Sequence, residues 1–415
     1  MKIYETLQQQ YVKYGNVQNL MKFFTMQEFI NKSHYLKNKS PGVDNITKYD
    51  YIDNLDYNIH LLYENIGNGT YNPKPIKRCY IPKANGKLRP LGIPAFEDKI
   101  VQCIVADILY SIYDPIFLNC SHGYCLNRNC HTALSSLKHT IETGKTNYIV
   151  KTDLKGFFDN IDHQLLIDML KGTIKDKHFI RLVEKYLKAE SYFKGKLITN
   201  STGTPQGCII SPVLGNIYLH YVLDLWFETV IKPIHPNSSL IRYCDDFIAC
   251  FNSKFAATYF INVVQTRLKE YNLHLETSKT SIVHFNINDI SSDIFSFLGF
   301  NISVDMNKHL CITASTHKLF QKVQAISNKV TNLLNKGYST IDCIKSVNES
   351  LLGLYNYYGI TSNSTWISDL YNLTYKQVLY ILYYNTGTRQ MSLDQLSWLL
   401  SLAPIASPPN SLIQL

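Results

Sequence analysis

The stretch LIRYCDDFIACF, residues 240–251, constrains this chain more than any other. Its β-branched and aromatic residues read as two short strands around a tight turn, a hairpin with Asp245 and Asp246 at its tip. Two carboxylates about 4 Å apart repel by about 4 kcal/mol at an effective dielectric near 20, so both stay ionised only where cations hold them. A third carboxylate, Asp153, arrives at the end of a separate strand, YIVKTDL. Three such groups converging can hold two Mg2+ ions, which activate an attacking hydroxyl and stabilise the leaving oxygens of an in-line phosphoryl displacement. The chemistry implied is nucleotidyl transfer.

At 415 residues the chain exceeds one comfortable core, so two or three packed domains are expected. An apolar fraction of 45%, with 19 Phe and 30 Tyr, excludes a disordered chain. The formal charge of +9 suits a polyanionic partner. Ten cysteines form no CxxC pair and no basic-then-apolar leader opens the chain, so reduced thiols in a cytoplasm are expected. The group Cys120, His122, Cys125, Cys130 and His131 matches none of the usual zinc spacings. The longest apolar run, from Ile100 to Leu118, is interrupted by Gln102, Asp107 and Asp114. That pattern suits a core helix rather than a membrane span, and no membrane association is expected.

Residues 1–70 read as a helical, polar extension closing on SPGVDNIT, where Pro41, Gly42 and Asp44 mark a turn. The segment YNPKPIKRCYIPKANGKLRPLGIP then reads as a hairpin turning at Asn85-Gly86. Between residues 74 and 89 it carries Lys74, Lys77, Arg78, Lys83, Lys87 and Arg89 and no acidic residue, which favours a phosphate-facing surface. Further on, GTPQGCIISPVLGNIYL reads as a Gly-rich loop leading into a helix, with Ser211 at the N-cap and Pro212 at the first helical position. In STHKLFQKVQAISNKVTNLLNKG, Leu319, Val323, Ile326, Val330 and Leu333 recur every three or four residues. They predict an amphipathic helix whose other face bears Lys318, Lys322, Lys329 and Lys336.

Six blocks follow one another in order: IPKANGKLRPLGIP, KTDLKGFFDNIDH, GTPQGCIISPVLGNIYL, YCDD, LHLETSKT and FLGF. This ordered set resembles reverse transcriptases of the group II intron-like lineage, from about residue 39 to near the end. The resemblance implies an α+β right-hand polymerase. Fingers and palm, with an antiparallel sheet, would occupy 71–310, a thumb helix 311–340 and a helical maturase-like region 341–415, behind the extension at 1–70. It also implies an RNA-directed DNA polymerase that uses dNTPs and two Mg2+ ions, with Mn2+ as a substitute.

By the same resemblance, Asp153 and Asp245 are the principal metal ligands, Asp246 is the second member of the pair, and the Leu154 carbonyl adds an oxygen. Lys83 and Arg89 grip the incoming triphosphate. Gln206 and Gly207 support nucleotide and template, glycine permitting close backbone approach. Lys279 is a proton donor to the leaving pyrophosphate. Phe158 is the aromatic gate that leaves no room for a 2′-hydroxyl. Lys74, Lys77, Arg78, Lys87 and Arg128, with the thumb residues Lys318, Lys322 and Lys329, would contact nucleic acid.

Departures from the lineage point to its use. From Ser339 to Leu415 the chain has three basic residues and four acidic ones, where intron-encoded proteins are rich in lysine and arginine. The stretch HGYCLNRNCHTAL replaces the lineage's Gly-Phe-Arg-Pro-Gly-Arg-Ser, and YCDD replaces the commoner YADD. These features resemble compact bacterial defence-associated reverse transcriptases, the type 2 group in particular, which copy a neighbouring non-coding RNA during phage infection. The expected partners are then a structured non-coding RNA, as template and scaffold, and the cDNA product. The alternative is a group II intron-encoded reverse transcriptase and maturase acting in splicing and mobility.

Overall fold

The computed structural model describes residues 2–37, 40–82, 86, 88–384 and 392–415. The chain forms two compact units, one of Met1–Asn129 and Tyr148–Ile282, the other of Cys130–Asn147 and Val283–Leu415. Both mix helices with sheets, giving the expected α+β class.

In the first unit the polar N-terminal stretch forms helices Lys2–Tyr14, Met26–Tyr35, Lys48–Ile52 and Leu55–Gly67. Thr25 and Thr47 cap two of them, the latter in a reciprocal box with Asp50. Their apolar residues, among them Leu7, Phe29, Ile59 and Leu62, enter the same core as the helix Phe96–Tyr113. That central helix is buried on nearly every side, so its polar groups need internal partners. Gln102 accepts from the Ile209 amide at 2.9 Å, Asp107 pairs with Lys32, and the following Asp114 accepts from the Leu126 amide at 2.7 Å.

The strands of this unit are β1 (Ile76–Pro82), β2 (Leu88–Ile93), β3 (Tyr148–Thr152), β4 (Ser191–Phe193), β5 (Lys196–Ile198), β6 (Ser239–Tyr243) and β7 (Asp246–Phe251). β1 and β2 form the expected hairpin, paired from Lys77↔Ile93 to Pro82↔Leu88. Gly86 takes the left-handed φ of 78° foreseen for its turn, while Asn85 lies outside the described residues. This sheet continues through β4, parallel to β1, to β5. A second sheet sets β6, β7 and β3 side by side, each antiparallel to the next.

The helix after the Gly-rich loop, Ser211–Leu219, continues through two wide π turns, His220–Asp224 and Phe227–Ile231. Ile210 occupies the cap position, Ser211 is already helical and Pro212 follows it, one residue earlier than expected. The Ser211 hydroxyl donates to the Pro205 carbonyl at 2.8 Å and lies 2.6 Å from that of Thr204. The loop's own polar groups compete successfully for a hydroxyl that would otherwise cap the helix.

In the second unit, strands Phe295–Phe297, Phe300–Val304 and Leu310–Thr313 make an antiparallel sheet. The FLGF block is its two-residue turn, with Leu298 and Gly299 at φ 46° and 85°. Helices Thr316–Asn335, Thr340–Tyr358 and Ser364–Tyr384 pack on one another, and Leu393–Leu402 follows. The first is the expected amphipathic helix. Ser315 caps it, Leu319, Val323, Ile326 and Val330 are buried, and Leu333 is half-buried. Among the described residues no helix is long and apolar enough to cross a membrane.

Candidate active site

The β3–β7 ladder ends at Thr152↔Phe247. Continuing that register by one residue sets Asp153 opposite Asp246, at the end of the sheet. The β6–β7 ladder closes at Tyr243↔Asp246, leaving Cys244 and Asp245 as a two-residue turn. Cys244 takes a left-handed φ of 58°, unusual for a residue with a side chain. The three aspartates foreseen from sequence therefore meet at one sheet end.

Their charges oppose one another. Desolvation by the surrounding fold raises the Asp245 carboxyl above the ordinary carboxylate range, and the Asp153 charge adds to it. Partial desolvation, then the charges of Asp245 and Asp153, push Asp246 up to about 6. One cation is already present: the Lys279 ammonium pairs with the Asp153 carboxylate, and that hydrogen bond raises its own pKa. Arg89, exposed near the start of strand β2, also acts on Asp245 through its charge. Lys83 and Lys87, expected beside it, lie outside the described residues. Behind the carboxylates, Leu154 bridges to Leu275. Amides of Lys155 and Glu276 donate to the carbonyls of His274 and Asp153 at 2.9 and 2.7 Å, which leaves the Leu154 carbonyl outside that pair of bonds.

Among the described residues no three His, Cys, Asp or Glu side chains close into a metal cage. Mg2+ ordinarily keeps several waters and binds through one or two carboxylates plus substrate phosphates. The donor set is all oxygen and mutually repulsive without a cation, so it fits Mg2+ held by Asp153, Asp245 and Asp246. Mn2+ accepts the same hard donors.

Beside the carboxylates, Gly156 at φ 57° starts the single helical turn Phe157–Asn160. Phe157 is in the core at 2% exposure, whereas Phe158 is only half-buried and keeps surface available to a ligand. The loop of residues 202–207 is tied to this turn. The Thr204 amide donates to the Phe158 carbonyl at 2.7 Å and the Gly203 amide to that of Ile161 at 2.8 Å. Its far end meets strand β2, where the Gly92 amide donates to the Gln206 carbonyl at 2.6 Å. Gly207 has φ 105°, and a Cβ there would stand 2.5 Å from the Gly92 oxygen. One loop thus holds Phe158, Gln206, Gly207 and strand β2 in register.

The expected nucleic-acid contacts divide. Arg78 lines a cleft of about 250 Å3 with Tyr80, Pro90, Asp159 and Thr202. Lys74 pairs with Asp44 at 2.9 Å, and Lys77 reaches the Asn45 side chain at 3.4 Å. Arg128, expected at the template, is bonded within its own loop. Its guanidinium donates to the carbonyls of Leu118 and Ser121, both at 2.7 Å, and Phe117 at 3.4 Å, closing a loop whose carbonyls lack strand partners. On the amphipathic helix, Lys318 donates to the Gly299 carbonyl at 2.6 Å. Lys329 reaches the Ser346 carbonyl and the Ser350 hydroxyl at 3.3 and 3.2 Å, and Lys322 is half-buried.

Sequence reasoning passed over Arg242, fully buried in β6 and ion-paired with Asp224. The signal was present: one arginine among the apolar and aromatic residues of a strand, two residues before the turn.

Residues 81–302 match the family described as reverse transcriptase (RNA-dependent DNA polymerase). The group II intron-encoded protein LtrA of Lactococcus lactis subsp. cremoris is 46% identical over 172 residues, 40% of this chain and 28% of that relative. Protein YkfC of Escherichia coli K12 is 32% identical over 322 residues, 68% of this chain and 82% of its own. An uncharacterized 91 kDa protein in the cob intron of Schizosaccharomyces pombe is 39% identical over 215 residues, 51% of this chain and 26% of that relative. The chain belongs to the reverse transcriptase (RNA-dependent DNA polymerase) family, with group II intron-like relatives.

Proposed function

We propose that this protein is an RNA-directed DNA polymerase. The observation that carries the reading is the meeting of Asp153, Asp245 and Asp246 at one sheet end, where desolvation and then the neighbouring charges of Asp245 and Asp153 raise Asp246 to about 6. When bound there, Mg2+ would lower the pKa of the primer 3′-hydroxyl and neutralise charge on the transferring phosphoryl group. The chain's own residues do the rest. Arg89 meets the triphosphate with a bidentate fork, and Lys83 adds a second cation. Phe158 closes the space beneath the sugar, while Gln206 and Gly207 support the base pair. Lys279 leaves Asp153 as substrate arrives and holds a proton ready for the departing pyrophosphate. The Leu154 carbonyl completes the oxygen donor set.

We further propose that the template is a structured non-coding RNA, copied into cDNA in bacterial antiphage defence. The support is charge: the segment from Ser339 to Leu415, with three basic and four acidic residues, lacks the cations that an intron-gripping surface draws its affinity from. The second reading, an intron-encoded reverse transcriptase and maturase, is favoured by the names of its relatives. Recovering and sequencing the RNA bound to tagged protein from phage-challenged cells separates them. One short non-coding RNA with wild-type-dependent complementary DNA supports the first, and an intron surrounding the gene overturns it.

A further inference from the structure

Arg242 is a guanidinium with no exposed surface, on the strand that ends at the catalytic turn. Its five N–H groups all have acceptors. Nε donates to Asp224 Oδ1 at 2.7 Å and one terminal nitrogen to Oδ2 at 2.5 Å, a bidentate pair. That same nitrogen donates to the Ser121 hydroxyl at 2.8 Å. The other donates to Asn216 Oδ1 at 2.9 Å and to the Cys244 carbonyl at 3.1 Å.

The last bond matters most, because Cys244 holds the left-handed φ that aims the next residue, Asp245. A residue with a Cβ pays a steric cost there and keeps the conformation only where its surroundings over-determine it. Two elements converge on the turn to do so. Asn216 and Asp224 come from the helix beginning at Ser211; eight residues on a regular α-helix would set them about 80° apart, and the π turn at His220–Asp224 narrows that offset. From the other side, the Arg242 amide donates to the Cys120 carbonyl at 2.7 Å and the His122 amide to the Arg242 carbonyl at 2.8 Å. Asn216 also donates to the Gly123 carbonyl at 2.6 Å, and a Cβ on Gly123 would stand 2.6 Å from the Cys244 nitrogen. The turn is boxed in before any metal arrives.

We propose that Arg242, clamped by Asp224, Asn216 and Ser121, is a positioning residue that fixes the Cys244 carbonyl and thereby aims Asp245 at the catalytic metal ions. The inference rests on the polymerase reading above. A buried ion pair serving only stability would change melting temperature and leave metal binding alone. A positioning pair changes metal affinity, as groups orienting metal ligands do.

The test uses the full chain with Arg242→Lys, which keeps the charge but loses the fork, and Ser121→Ala, which removes a single acceptor. Mn2+ binding is followed by electron paramagnetic resonance with a non-hydrolysable dNTP and template-primer, beside the Mg2+ midpoint of primer extension and the melting temperature. Arg242→Lys is expected to weaken Mn2+ binding and raise the Mg2+ midpoint by about tenfold or more, the scale of such outer-shell losses. The KM for template-primer stays near wild type. Ser121→Ala moves both metal readouts the same way by less. Wild-type metal affinity in Arg242→Lys, whatever its melting temperature, overturns the inference. Should Arg242→Lys not fold, unchanged metal affinity in Ser121→Ala overturns it instead. Failure of the wild-type protein to bind Mn2+ would refute the polymerase reading itself, a result distinct from either.

Discussion

Asp246 carries the cost of gathering three carboxylates: its carboxyl is pushed up to about 6 by partial desolvation and two neighbouring charges. Relief of that repulsion should be measurable. In metal-free buffer at neutral pH, Asp246→Asn is expected to melt at a higher temperature than wild type, and a lower one would mean that the carboxylates do not strain the fold. Asp245→Ala should lower nucleotide incorporation by about 10³-fold, corresponding to about 4 kcal/mol of lost transition-state stabilisation, with secondary structure unchanged by circular dichroism. Phe158→Ala should admit ribonucleotides, lowering dNTP over rNTP selectivity by about tenfold or more in single-nucleotide incorporation. Unchanged selectivity would remove Phe158 from the gate. The aspartates were legible because spacing and flanking strand residues state where a carboxylate must sit. The partners of Lys74 and Arg128 were not, because sequence gives a charge but not the carboxylate or carbonyls the fold brings to it.

At the scale of elements, the loop of residues 202–207 joins parts far apart in sequence. It takes hydrogen bonds at Phe158 and Gly92, and Gly207 fits only because it has no side chain. Gly207→Ala adds a Cβ at φ 105° against the Gly92 oxygen. The expected result is a loss of about 1–3 kcal/mol in denaturant unfolding, together with weaker dNTP binding; wild-type stability would show that the close approach is not maintained in solution. The hairpin of β1 and β2, the β6–β7 turn and the amphipathic helix Thr316–Asn335 could each be read from local pattern, since alternation, turn residues and three-to-four spacing act within a few positions. Ser211 could not, because its hydroxyl is drawn to Pro205 and Thr204 by a loop geometry that no local rule contains. Arg242 was missed for the same reason. A charge inside a strand looks like an exception until the helix, loop and turn around it are known.

For the molecule as a whole, stability should respond to pH through Asp98, nearly fully buried in the first unit. Burial is the main cause that raises its carboxyl to about 7, against hydrogen bonds from Tyr71 and the Lys74 amide. An unfolded aspartate releases its proton near ~4. Between those values the folded chain holds a proton that the unfolded chain has lost, so this group's contribution to stability is full below ~4 and is lost as pH rises to about 7. Asp98→Asn should flatten the fall in melting temperature across that window, and an unchanged slope would assign it to other groups. Above these details stands the claim that the meeting of Asp153, Asp245 and Asp246 makes DNA on RNA. Its most direct test is extension of a DNA primer on an RNA template by purified protein with dNTPs and Mg2+, alongside the Asp245→Ala/Asp246→Ala double variant. Template-directed extension by wild type, lost in the double variant and on chelation of the metal, is the predicted result. Equal extension by both proteins, or none by wild type with any primed RNA, would contradict it.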